Sequence, residues 1–492
     1  MIKDSSESNR LKRYHESVGR ARQARSPEAL GEIAIHYDQA GLKPQAFDFA
    51  LRAADQALAG YGYEDAVDLL AVAERNAADV AGRAEVRIRL AQIAEATGRY
   101  ELAAQHCDAA DEWCTSKAPA ERRIATHRLR ERIKDLLGQP ATQTLETATR
   151  LLKDAEKEGC GSECISLLIM TSQAKARLGD LAGAREAAED AVKRAEAIRN
   201  RPLLGTALNR LGLTQRPTDP DRAVASWRRA LEIFRDLGDD RGAAGAHNNL
   251  GIYYSDRGEW QTAERHLDEA TRLARKAGVR ADLGAATLNL GVAVLKTGDY
   301  DRAHGHLGES LALFAAIKNS ERQLYSLYNM AHLERERGQL DVATDLYEFA
   351  AQLAHRIGQS DVEIGALAGA GLCRLGLGRG EEASSANKQA SDQLAKRSDW
   401  FQGRELAEAL RIRLAAQKGK VDEALGQFET ALALAESSDF YCAAWLTAEC
   451  GKDLLSKGGT KVRTSVSRLA DRAQQYGLAE ISRKYDQLLA QA

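Results

Sequence analysis

His247-Asn248-Asn249-Leu250-Gly251 decides the fold, because the chain repeats it: Asn289-Leu290-Gly291 follows forty residues after Asn249-Leu250-Gly251, and Asn329-Met330-Ala331 forty after that. A fixed period above twenty residues marks stacked structural repeats, units that bury their apolar faces only against their neighbours. Outward from this stretch the register holds from Asn209 to Ala431. Small residues fall at Ala223, Ala263, Ala303, Ala343, Ala383 and Ala424, and seven residues later at Ala230, Ala270, Ser310, Ala350, Ala390 and Ala431. Positions seven apart share a helical face, where two small side chains let a partner helix approach closely. Between them stand Trp227, Leu267, Leu307, Tyr347, Asn387 and Phe428, side chains that fill the remaining space. Asn387 is the exception and marks a weaker repeat.

Turn chemistry sets the same register independently. Gly258, Gly298, Gly338, Gly378 and Gly419 are expected to end the first helix of each pair, since glycine enters the left-handed conformation at no steric cost. One repeat substitutes Arg216-Pro217-Thr218-Asp219-Pro220. The second helices are expected to stop near Gly238, Gly278, Asn319, Gly358, Ser398 and Ser438. Upstream, Ala91, Ala94, Gly98, Ala103 and Ala110 mark one more pair, and Ser172, Gly179, Ala184 and Ala191 another. Glu121 to Lys157 reads as a less regular pair broken around Gly138-Gln139-Pro140. The organisation expected is a basic N-terminal arm over 1–25, divergent helical repeats over 26–160, a regular array over 161–440 and capping helices over 441–492. In the last stretch Phe440 to Leu455 forms a helix, Ser456 to Gly459 a loop, and Val462 to Ala490 a polar pair suited to closing the end of a solenoid.

Composition agrees with helices and removes several function classes. The 492 residues are 44% hydrophobic, with 5% aromatics and only seven prolines, which suits many closely packed helices. No apolar run approaches the eighteen residues of a membrane span. Met1 to Arg25 carries seven Lys/Arg against three Asp/Glu with no apolar stretch behind them, so no secretory signal is expected. Seven scattered cysteines fit reduced thiols and a cytoplasmic location better than a disulfide framework. A formal net charge of −2 gives no electrostatic reason to expect nucleic acid or an anionic membrane as partner.

The repeat resembles the tetratricopeptide repeat. Leu250-Gly251, Tyr254, Gly258, Ala263 and Ala270 follow that family's Leu-Gly, Tyr, turn Gly, Ala and Ala in order and spacing, and the match recurs over most of residues 30 to 440. The period departs from the family's usual thirty-four, and is similar to the forty-residue arrays of kinesin light chains, Pins-type adaptors and the sensor arrays of bacterial signalling ATPases. The resemblance implies an all-α, right-handed superhelical solenoid of antiparallel helix pairs. It also implies a concave groove, lined by the first helices, in which the residue before each Leu-Gly pair points at a ligand.

On that basis Asn249, Asn289 and Asn329 are expected to form a ladder in the groove, preceded by Asn209. Asn248, Ile252, Leu288, Val292, Tyr328 and His332 are expected one turn away, a mixed polar and apolar lining. A carboxamide both donates and accepts, so it can satisfy a peptide backbone without reading side chains. The alternative is that each Asn bonds an adjacent helix end. A carboxylate clamp for acidic C-termini needs several Lys and Arg converging with Asn, but Arg210, Lys296 and Arg335 are interspersed with Asp256, Glu334 and Glu336, so that clamp is not expected. Cys160 and Cys164 lack the further ligands a zinc site needs, and His266 with His306 reads as helix surface. No metal, cofactor or catalytic residue is expected, since no phosphate loop, nucleophile elbow or His-Glu-x-x-His occurs.

The expected function is therefore a non-enzymatic scaffold or sensor that binds a protein or peptide segment. One alternative is a regulatory subunit of a signalling ATPase or kinase system. Others are a response-regulator-directed phosphatase, which needs a catalytic Gln or Glu that nothing here singles out, and a peptide-pheromone receptor.

Overall fold

The computed structural model describes residues 2–116, 118–395, 401, 403–437, 440–455 and 460–491. The expected helix stops at Ser398 and Ser438, the loop Ser456 to Gly459 and the side chain of Cys114 lie outside the described residues. Among the described residues there are helices and no strand: α1 (Ile2–Arg25), α2 (Leu30–Ala40), α3 (Lys43–Ala59), α4 (Tyr63–Asn76), α5 (Val80–Ala96), α6 (Tyr100–Ser116), α7 (Ala120–Leu136), α8 (Ala141–Lys157), α9 (Gly161–Arg177), α10 (Leu181–Ala197), α11 (Arg201–Gln215), α12 (Pro220–Leu237), α13 (Asp240–Asp256), α14 (Trp260–Ala277), α15 (Arg280–Thr297), α16 (Tyr300–Ala316), α17 (Ser320–Glu336), α18 (Leu340–Ile357), α19 (Ser360–Gly376), α20 (Gly380–Leu394), α21 (Arg404–Gln417), α22 (Val421–Glu436), α23 (Phe440–Leu455), α24 (Thr460–Gln475) and α25 (Ala479–Gln491). The protein is an all-α solenoid of helix pairs. It divides into two compact units, Met1–Ala243 with Arg275–Arg280, and Ala244–Ala274 with Ala281–Ala492.

The forty-residue period is spent on helix. From α13 to α19 every helix has 17 or 18 residues, and the turns between them take two or three. Gly258, Gly298, Gly338, Gly378 and Gly419 all have φ between 76° and 91°, the left-handed turn that the sequence requires of them. Near Asn319, where a helix stop is expected, α16 ends at Ala316 without a glycine. Lys318 takes the left-handed turn at φ 54°, and Asn319 caps the next helix by accepting from the Arg322 backbone N–H at 3.0 Å. Asp219 likewise accepts from the Arg222 backbone N–H at 3.1 Å with Pro220 in the first turn, the combination that starts a helix without glycine. The stretch Glu121 to Lys157 is not irregular. Gly138 and Pro140 make an ordinary turn between α7 and α8, each of 17 residues.

Packing follows the small–large–small pattern. A Cβ on Gly251 would lie 2.5 Å from Leu267 Cγ, and one on Gly291 2.9 Å from Leu307 Cγ. The glycine of each Leu-Gly pair is thus where the large side chain of the second helix enters. At Gly371 the side chain in that place is Leu410 of α21, and Asn387 is left half-buried, which explains why a carboxamide is tolerated there. Ala303 is fully buried. Ala303→Leu is expected to overpack this contact and cost about 1–3 kcal/mol, read as a lower melting temperature by circular dichroism. An unchanged melting temperature would show that the register is wrong.

In the second unit α23 is enclosed. Ala443, Ala444, Leu446, Cys450 and Leu454 are 0% exposed and Trp445 is 1% exposed. This helix packs against α21, α22, α24 and α25, and its side chains also reach α14, α15 and α17. It is a central element of the unit, and α24 and α25 stand outside it.

Candidate functional site

Helices α13, α15 and α17 are the first helices of three consecutive pairs, so residues forty apart occupy equivalent places on them. Ile252, Val292 and His332 are one such set, Asn249, Asn289 and Asn329 another. The second unit contains a cavity of ≈ 620 Å³ lined by Ile252 from α13, by Asn289, Val292 and Lys296 from α15, and by Arg322, Tyr325, Tyr328, Asn329 and His332 from α17. Phe401, Glu405 of α21, and Tyr441 and Cys442 of α23 complete the wall. The volume lies within the range of sites that enclose a small ligand.

Seven of the expected residues, Ile252, Leu288, Asn289, Val292, Tyr328, Asn329 and His332, are brought together here. Asn209, Asn248 and Asn249 do not line it. Asn209 belongs to the first unit and its carbonyl accepts from Trp227 Nε1 at 3.2 Å. Asn249 is 8% exposed, inside the packing between helices. Asn248 stands behind the cavity, its Oδ1 accepting from Asn289 Nδ2 at 2.8 Å. Asn329 Nδ2 donates to the carbonyl of Tyr325 on its own helix, 2.8 Å. Each lining carboxamide therefore spends one N–H inside the protein, and its oxygen is not used in these bonds.

Burial sets the electrostatics. It lowers the His332 pKa from 6.5 to about 4, with Arg335 acting in the same sense, so the imidazole is neutral near pH 7. Burial raises Tyr328 and Tyr441 well above the ordinary phenol range, and Tyr325 upward too, which leaves three hydroxyls able to donate. The charged side chains of the lining are Lys296, Arg322, Asp256 and Glu405. Glu405 accepts from the Gly403 backbone N–H at 3.0 Å. Lys296 Nζ sits 4.8 Å from the Trp260 ring centroid and 4.7 Å from that of Tyr441.

Beneath the cavity, α17 and α23 are joined by buried charges. Arg335 pairs with Glu336 and, at 3.2 Å, with Glu449, and its guanidinium lies 4.7 Å from the Trp445 ring centroid. Glu336 accepts from Lys484 Nζ at 2.7 Å and from Trp445 Nε1 at 3.2 Å. Glu449 also pairs with Arg413, which reaches Asp453 at 2.7 Å. Arg335 is thus committed to structure, and Arg210 donates to Gln173 at 3.2 Å in the first unit.

Sequence reasoning missed the α21 and α23 wall. The signal was the run Phe440 to Cys450, apolar on every side save Thr447 and Glu449, since a helix apolar all round is buried. Elsewhere, His266 stacks on Tyr254 with centroids 5.4 Å apart, and its Nδ1 lies 2.9 Å from that of His247. Among the described residues no three His, Cys, Asp or Glu side chains group as a metal site would require, the described cysteines are free thiols, and no helix is long and apolar enough to cross a membrane.

Residues 252–452, which include the cavity's lining, match the family model of the MalT-like TPR region. They form a tetratricopeptide-repeat array. A tetratricopeptide array is an interaction or sensing scaffold, built to present a surface across repeats. Among solved structures the chain is similar to a Rap protein complexed with competence and sporulation factor (13% identity over 78% of this chain and 99% of that one, TM-score 0.47). It is also similar to BtubC from P. vanneervenii (19%, 49% and 93%, 0.36). A third likeness is to a signal transduction ATPase with a tetratricopeptide repeat sensor from Pyrococcus horikoshii (14%, 78% and 53%, 0.39). These are likenesses of fold. No curated protein matches the chain.

Proposed function

We propose that the protein is a non-enzymatic sensor whose tetratricopeptide array takes a short, extended peptide in the cavity of the second unit. The observation that carries this reading is the pair Asn289 and Asn329, equivalent positions of consecutive repeats lining one cavity with oxygens that these two hydrogen bonds leave unused. Neighbouring first helices stack at roughly 10 Å and an extended peptide advances roughly 3.3 Å per residue. The two carboxamides therefore meet backbone N–H groups about three residues apart. The volume, ≈ 620 Å³, and the covering helix α23 favour a short segment over a folded domain.

The test is equilibrium retention of a pool of N-acetylated random hexapeptides. Replacing Asn289 and Asn329 together by Ala is expected to weaken retained peptides by about 1 kcal/mol per site, with helicity and melting temperature nearly unchanged. Asn249→Ala, outside the cavity, leaves peptide binding as it was. Equal losses in both variants would assign the Asn ladder to structure and remove the reading.

A further inference from the structure

We infer that the α24–α25 hairpin is a strap that ties the two walls of the cavity together and sets how fast a ligand is exchanged. The inference rests on the peptide-binding reading above and adds the regulation of that site.

One wall of the cavity comes from α13, α15 and α17, the other from α21 and α23. The hairpin belongs to the second wall. Val466, Leu469 and Ala473 of α24 and Tyr485 of α25 are fully buried, both helices pack against α23, and the Tyr485 hydroxyl donates to the Ala444 carbonyl at 2.8 Å. Three further side chains leave the hairpin for the first wall. The Tyr476 ring covers Gly258, where a Cβ would lie 3.1 Å from Tyr476 Cγ, and a Cβ on Gly298 would lie 3.4 Å from Glu480 Cβ. Lys484 Nζ donates to Glu336 at 2.7 Å. Tyr476, Glu480 and Lys484 stand four residues apart, and they touch the C-terminal ends of α13, α15 and α17 in that order. The start of α25 therefore runs across three consecutive repeats.

These contacts sit at the cavity. Ser255 and Asp256 of α13 and Leu295 and Lys296 of α15 line it at the same helix ends, within one turn of Gly258 and Gly298. Tyr476 also reaches the other wall, because its ring meets that of Phe440, the neighbour of the lining residue Tyr441, edge to face with centroids 4.9 Å apart. The Arg472 guanidinium lies 4.3 Å from the Phe440 centroid and 5.9 Å from that of Tyr476. The strap is particular to these repeats, since a Cβ on the equivalent glycines Gly338, Gly378 and Gly419 would meet nothing within 4 Å. Its two attachments differ in strength. Against α23 the hairpin buries an apolar face, whereas on the first wall it places one ring over a glycine, one carboxylate stem over another and one ammonium at 26% exposure. An outer element held in this way opens before the core does. A ligand enclosed between the walls enters and leaves when they part, and the strap's contacts with the first wall set the frequency of that motion.

Gly298→Cys combined with Glu480→Cys tests the strap, because the separation of those Cβ atoms, 3.4 Å, is close to that of a disulfide. Oxidation locks the strap and reduction releases it. Gly298 is left-handed at φ 91°, so a cysteine there lowers stability, and comparing the oxidised and reduced forms of one protein cancels that effect. Glu480→Cys alone, oxidised in parallel, controls for the native thiols. The readout is association and dissociation of a hexapeptide retained by the parent. The oxidised double variant is expected to slow both rates about 10-fold or more relative to its reduced form, with Kd moved less than about 3-fold. Tyr476→Ala, which uncovers Gly258, is expected to raise both rates in the chain without the crosslink. Unchanged rates in the oxidised form overturn the inference and leave the peptide cavity standing, as does a thiol count showing that the crosslink does not form. If the parent retains no peptide, the peptide reading falls, and the strap is judged by iodoacetamide alkylation of Cys442, a lining thiol 8% exposed. Slower alkylation in the oxidised than in the reduced form, followed by mass spectrometry, then supports the strap, and equal rates remove it too.

Discussion

Arg335→Met is expected to destabilise the protein by about 3–5 kcal/mol. The Arg335 and Glu336 side chains are each 7% exposed, and Glu449 is 12% exposed. Burial alone would lower the Arg335 pKa, yet Glu336 and Glu449 hold it well above its ordinary range. Burial alone would raise Glu336 and Glu449, and the neighbouring cations, Arg335 foremost, hold both below the usual carboxylate range. Each charge therefore exists in the interior only because of the others. Methionine keeps much of the packing against Trp445 and removes the cation, leaving two carboxylates with only Lys484 and Arg413 to offset them. Arg302 supplies the control. Its pair with Glu264, 2.7 Å, is about half exposed on the arginine side, and such pairs contribute about 0–1 kcal/mol. Urea unfolding of parent, Arg335→Met and Arg302→Met checks this, and a loss at Arg335 no larger than that at Arg302 would refute it. Partial rescue of Arg335→Met on mild acidification is expected as well, because protonating either carboxylate removes the unpaired charge.

The division between what the sequence revealed and what it hid follows from the range of the interactions. Asn249-Leu250-Gly251 and its copies specify local geometry: helix, left-handed glycine, large side chain over glycine. These are contacts within one pair or between adjacent pairs, and a forty-residue period displays them directly. The lining from α13, α15 and α17 was legible for the same reason, since equivalent residues of stacked helices share a face. Tyr441 and Glu405 meet that face from far along the chain, and no periodicity relates Lys296 to Tyr441 or Glu336 to Trp445 and Lys484. The register also misplaced Asn249. Asn289 and Asn329 reach the cavity while the equivalent Asn249 does not, because the lining is drawn from α15 and α17 at this depth, where α21 and α23 leave space opposite. Near Asn319 the helix stop lies where the register puts it, and the turn itself is divided between two residues, Lys318 in the left-handed conformation and Asn319 as the cap of the next helix.

Acidification from pH 6.5 to 4 is expected to remove about 3 kcal/mol of stability through His332 alone. The sign follows from where the proton goes. In the unfolded chain His332 binds a proton below about pH 6.5. In the folded protein it does so only below about 4. Between those values the unfolded state holds the extra proton, so stability is complete above 6.5 and is lost as pH falls through the window. The groups facing His332 explain the depression. Arg335 and Lys484 oppose a second positive charge, Glu336 and Glu449 favour it less strongly than burial and Arg335 disfavour it. The Tyr347 hydroxyl lies 3.4 Å from Nδ1 and the Trp445 ring 6.0 Å away between centroids. Glu336 and Glu449, both held low, add their own losses below about pH 4.5. His36, His106 and His127 are also lowered by burial, so the parent's slope contains more than one imidazole. His332→Leu isolates the one in question: its unfolding free energy is expected to fall less steeply between pH 6.5 and 5 than the parent's, by about 1 kcal/mol per pH unit, whatever its absolute stability. Equal slopes would mean that His332 titrates normally and that α23 does not seal this face of α17. Since His332 also lines the cavity, the same seal that keeps its proton off keeps water from the ligand's inner end, and peptide retention is expected to fail in the same pH window as the fold.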